Sequence, residues 1–97
     1  MATTMTAQGS IGVPQTNAQS SGTDWLAAVS IPAGARSIDF LLDVAAYVVA
    51  DCTTADPSNT GVPYQPNLNF RLPCRGATKL HLRGVAASAL LKWTVIM

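Results

Sequence analysis

Between Ser37 and Val44 apolar and polar positions alternate, with Ile38, Phe40, Leu42 and Val44 on one side and Ser37, Asp39, Leu41 and Asp43 on the other. Successive side chains of an extended chain point to opposite faces, so this pattern predicts a strand with one dry face. The same period places Trp25, Ala27, Val29 and Ile31 on one side of a strand that ends at a Pro32-Ala33-Gly34 turn. Phe70 and Leu72 flank Arg71 in a short edge-type strand stopped by Pro73, and Leu80 and Leu82 oppose Lys79, His81 and Arg83 in another. Residues 45–50 extend or bend the first of these strands. A helical stripe of Leu41, Val44, Ala45 and Val48 competes there, but the β-branched content and the upstream turn favour a strand.

The last apolar segment differs from the rest. From Ser88 to Ile96, Ala89, Leu91, Trp93 and Val95 occupy one side, while Leu90, Lys92, Thr94 and Ile96 occupy the other. A strand that is apolar on both sides belongs between two layers or beneath another subunit. Six or so short strands separated by turn signals predict an all-β fold, a small antiparallel β-sandwich or jelly-roll-like barrel.

Two stretches fall outside the strand pattern. Residues 1–23 carry no charge and consist mostly of Thr, Ala, Gln, Ser, Gly and Asn, which predicts an extended N-terminal arm ahead of a sandwich domain over residues 24–97. Ile11 and Val13 are the arm's apolar anchors, and Pro14 ends or edges any strand they form. Residues 51–67 contain three prolines and read as a long loop of the kind that carries interactions. Val62, Pro63 and Tyr64 are its candidate partner-binding residues.

Size makes the exterior matter. A chain of 97 residues buries roughly 60–65% of its unfolded surface, and much of its apolar content is alanine, so the interior is modest. Some further stabilisation is expected, for which a disulfide, a metal or neighbouring subunits are the general candidates. Charge is sparse and sorted by sign: residues 1–56 hold five aspartates and one arginine, net −4, whereas residues 57–97 hold five basic residues and no acid. Unless the halves pair internally, such a surface docks on its own copies or on a charged partner, with Arg71, Arg75 and Arg83 as charge partners.

Chemistry finds little support. His81 is the single histidine and sits between cationic neighbours on the polar side of its strand, where an exposed or interface role is expected over general base catalysis. Cys52, Cys74, His81 and Asp51 lack the paired spacing of a zinc site. Asp39 and Asp43 lie roughly 13 Å apart along a strand, too far for a glycosidase pair. No enzyme activity, metal or cofactor is expected. The run MATTMTAQGS has neither the basic region nor the apolar run of a secretory leader, so cytosolic synthesis with reduced thiols is expected. Neither a membrane nor a nucleic acid is an expected partner.

The uncharged arm, the turn and strand SIPAGARSIDF, the loop TTADPSNTGVPY and the closing TKLHLRGVAASALLKW together resemble small virion proteins of tailed bacteriophages, most of all capsid decoration or cement proteins. The resemblance covers most of the chain in style and carries over no individual residue. It implies a homo-oligomer, a trimer first, on the capsid surface of the virion, bridging subunits of the major capsid protein or another virion protein. A small tail, neck or head-fibre component has the same appearance. A glycan-binding or nucleic-acid-binding β module is the alternative from a different class.

Overall fold

The computed structural model describes residues 11–97, and in them the chain is all-β, two antiparallel sheets packed face to face. The strands are β1 (Gly12–Pro14), β2 (Ala18–Gln19), β3 (Val29–Ser30), β4 (Ser37–Leu42), β5 (Ala46–Asp51), β6 (Phe70–Pro73), β7 (Lys79–Gly84) and β8 (Leu90–Ile96). Sheet A runs β1, β8, β4, β6, with β2 also on β8; sheet B runs β3, β7, β5. From β2 onward each connection crosses from one sheet to the other, and among the described residues no strand pairs with its neighbour in sequence.

The period-two segments become the inner faces. Ile38, Phe40 and Leu42 of β4 are buried, as are Leu91, Trp93 and Val95 of β8, and they meet Leu80 and Leu82 of β7 with Ala46 and Val48 of β5. Asp39 and Leu41 alternate outward beside Thr94 and Lys92 of β8. Residues 40–50 contain no helix. The chain instead bends at Asp43–Ala45 and restarts as β5 in the opposite sheet, which lets two apolar segments face each other across the core.

Three placements differ from the sequence pattern. The strand expected from Trp25 to Ile31 shrinks to Val29–Ser30: Leu26 N–H donates to Leu82 O, but Trp25 turns onto the outer side of sheet B, where its ring meets His81 and Arg83. His81, expected on an exposed face, is 0% exposed. Residues 11–20, assigned to the arm, lie along β8 as its outer edge: Gly12 pairs Ile96, Ala18 pairs Leu91, and Ala18 and Ser20 are buried. Residues 1–10 of that arm lie outside the described residues.

Gly84 closes β7 where the β7–β8 turn folds back. A Cβ there would stand 1.7 Å from the Ala87 carbonyl oxygen and 3.0 Å from that of Gly22. The thiols are both free, with Cys52 exposed and Cys74 buried, and burial pushes the Cys74 thiol up from its ordinary pKa. Iodoacetamide at pH 8 is therefore expected to label Cys52 alone in the native protein and both thiols in denaturant. Equal native labelling of the two, read by peptide mass mapping, would contradict this packing.

Candidate functional site

Between β5 and β6 the chain makes a long excursion, residues 52–69, held at both ends. At its root, His81 of β7 reaches across β5 from the outer side of sheet B. Its Nε2 lies 2.7 Å from Asp51 Oδ1 and 3.0 Å from the Thr53 carbonyl oxygen. Both neighbours are acceptors, so Nε2 carries the hydrogen and donates to each. Asp51 Oδ1 also accepts from Thr53 N–H at 3.1 Å, and Thr53 Oγ1 accepts from Ala55 N–H at 3.1 Å. His81 thus acts as a buried peg for the loop, and its Nδ1 has no hydrogen-bond partner. A base sealed from solvent cannot meet a substrate.

At its far end the loop is fixed by Tyr64. Its backbone exchanges hydrogen bonds with Ala46 of β5 at 2.8 and 3.2 Å. Its ring stands edge-on to Phe40, centroids 5.0 Å apart, and 4.9 Å from Phe70. Asn67, which takes a left-handed conformation with φ 62°, then donates its N–H to Leu42 O at 2.9 Å. Asparagine tolerates that geometry far better than a β-branched residue. Between root and pin, Gly61 N–H bonds to Asn59 Oδ1 at 3.1 Å in an Asx turn.

The result is a loop anchored at both ends with apolar side chains exposed near its far end. Val62 is 82% exposed two residues before the Tyr64 pin, and Leu68 is 55% exposed just after Asn67. Pro63 is half-buried between them. Tyr64 itself faces the interior, so of the three loop residues expected to touch a partner, Val62 is the one that protrudes.

The basic candidates separate. Arg71 of β6 makes a two-pronged pair with Asp39 of β4, Nε to Oδ1 at 2.7 Å and Nη2 to Oδ2 at 2.9 Å. Hydrogen bonding to Arg71 holds the Asp39 carboxyl below its ordinary pKa, and the same bonds raise that of Arg71. Acidic and basic halves of the chain therefore pair internally at this point, which removes part of the expected dipole. Arg83 lies on the outer side of sheet B with its guanidinium carbon 5.2 Å from the Trp25 ring centroid and 5.0 Å from that of Tyr47. The two rings stabilise a cation whose Nε is buried without a partner. Arg75 is exposed at a left-handed position, φ 51°, in the turn closed by Ala77 N–H to Cys74 O.

Ile11 and Val13 lie at the outer edge of sheet A beside the end of β8, and Ile11 is 68% exposed. They are far from the loop in the strand order, so the expected partner-binding residues form an edge group, a loop group and three separate basic positions instead of one patch. Leu68 and Tyr47 were not singled out by the sequence pattern, and Trp25 was assigned to the apolar side of its strand. Leu68 lies between the proline-rich stretch and the strand read from Phe70, while Tyr47 alternates in phase with Asp51 on a strand whose outer side nothing local marks.

The architecture defines a small all-β sandwich. No family model, curated protein or solved structure matches the chain.

Proposed function

We propose that this chain is a structural virion protein, without catalytic activity, that binds and reinforces a phage capsid by bridging major capsid subunits as a homo-oligomer. The observation that carries the reading is that Val62 stands in solvent two residues from the point where Tyr64 is tied to Ala46. A branched aliphatic side chain has little rotamer freedom to lose, and one so close to an anchored residue has less backbone freedom to lose on docking than one at an unanchored tip. The edge formed by Ile11 and Val13 offers a second apolar contact. Two separated contacts on one small module suit a bridging role, because simultaneous engagement raises the effective concentration of each.

The resemblance in sequence style to decoration proteins supplies the choice of capsid. Binding only to the assembled shell would stabilise that state by mass action, each copy adding a modest increment. The test is co-sedimentation with shells assembled from the major capsid protein of the same virus, using the intact chain and Val62→Asp. Retention of the intact chain is expected, and Val62→Asp should lower it about tenfold with an unchanged melting temperature, since the side chain touches little of its own fold. An intact chain left wholly in the supernatant would overturn the reading.

A further inference from the structure

The outer side of sheet B is unlike a solvated face. His81 stands at its centre and is 0% exposed, shut off by Asp51 and Thr53 on the β5 side and by the Trp25 ring, 6.3 Å away, on the β3 side. Beside it Arg83 lies between the rings of Trp25 and Tyr47, 5.2 and 5.0 Å from their centroids, with Val49 next outward along β5. Trp25, Tyr47, Val49 and Arg83 are all half-buried. Tryptophan, tyrosine and arginine are the residues most enriched at the energetic centre of protein interfaces, and here the arginine joins the other two.

The charges of this face are balanced. Lys79 and Arg83 stand against Asp24 and Asp51, and two of the four are already engaged: Asp51 accepts from His81, and Lys79 donates to Ser30 Oγ at 3.1 Å. Arg83 and Asp24 are left, neither of them in an ion pair among the described residues. Arg83 Nε is buried without a partner. Asp24 is exposed one residue before Trp25, in the segment that runs beside the end of β7, where Leu26 N–H reaches Leu82 O. Balanced charge gives no general pull on a polyanion, so a nucleic acid does not fit. A patch that carries one unpaired cation and one unpaired anion near each other is complementary to itself turned through half a circle, which is what a twofold contact requires.

We propose that the outer side of sheet B is a twofold contact with a second copy of this chain, Arg83 of each copy meeting Asp24 of the other across the Trp25 and Tyr47 rings. The contact rests on the homo-oligomer of the functional reading and supplies a surface for it, while Ile11 and Val13, on the edge of sheet A, stay open to the shell. A face three strands wide lies at the small end of specific interfaces, under about 1,200 Å2 in total, so the association depends on concentration.

The test is sedimentation equilibrium of the intact chain without shells, from about 10 µM to about 1 mM, which should show a monomer–dimer equilibrium. Asp24→Arg sets arginine against arginine and Arg83→Asp sets aspartate against aspartate, so each variant by itself should dimerise at least about tenfold less tightly. An equimolar mixture of the two restores both opposite-sign contacts and should recover the parent's dimer. Asp24 is exposed, so Asp24→Arg should melt within a few degrees of the parent and reads the contact even where Arg83→Asp costs stability. Lys92→Glu, an equally large charge change on the outer side of sheet A, should dimerise as the parent does. A parent that stays monomeric at the highest concentration, variants that dimerise as tightly as the parent, a mixture no tighter than its components, or loss of the dimer in Lys92→Glu would each overturn the contact. With no shell in the cell, none of these outcomes reports on shell binding, which co-sedimentation reads separately.

Discussion

Gly84→Ala is expected to be the most damaging single-methyl change in this protein, lowering stability by about 3 kcal/mol or more. The added Cβ would sit 1.7 Å from the Ala87 carbonyl oxygen and 2.9 Å from its carbon, both backbone atoms. No rotamer change relieves such an overlap; the β7–β8 turn has to open. In a domain of this size a loss of that order lowers the melting temperature by about 12 °C or more. Thermal unfolding followed by circular dichroism checks it, and a variant melting within about 2 °C of the parent would show that the turn does not pack on Gly84 as described. Gly61→Ala is the contrast. Nothing lies within 4 Å of its added Cβ, so its cost comes only from the left-handed backbone, φ 64°. That cost is about 1–2 kcal/mol.

Phe40→Ala is the second large effect, with an expected loss of about 3–5 kcal/mol. Phe40 is buried in β4, and its ring supports both Tyr64 and Phe70. The substitution therefore leaves a cavity and also removes the wall against which the loop is pinned. Two readouts separate these consequences. The denaturant midpoint should fall with the global loss, and limited proteolysis under native conditions should cut within residues 52–63 sooner than in Leu82→Ala, a core truncation of similar type on the other sheet. Equal cleavage in the two variants would show that Tyr64 does not depend on Phe40 for its place.

These two experiments bear on the proposed docking role, because its central requirement is a loop that is stiff before any partner arrives. The peg at His81 and the pin at Tyr64 act on opposite ends of it.

The strands of the core were legible because β4, β7 and β8 each carry their own alternation. Ile38, Phe40 and Leu42 sit inward for the reason their spacing implies, and on the outer side of β8 Leu90, Thr94 and Ile96 are half-buried while Lys92 is exposed. The place of Val62 in a surface loop was legible from composition, since three prolines and the turn-forming residues around them interrupt any strand ladder there. By contrast, the burial of His81 and the inward turn of Tyr64 were not. Both depend on groups far away in sequence: Asp51 is 30 positions from His81, and Tyr64, bridged to Ala46 of β5, meets Phe40 of the opposite sheet.

The amino-acid order by itself determined the all-β class, the dry faces and the place of the long loop, because these follow from side-chain periodicity and turn chemistry within a few residues. Only the tertiary structure decided which strand lies beside which, that residues 11–20 form an edge along β8, and that an acid of the first half neutralises Arg71. The reason is that no described strand pairs with its sequence neighbour, so no tight turn announces a partner. The pairing is chosen by how two apolar faces close over one core.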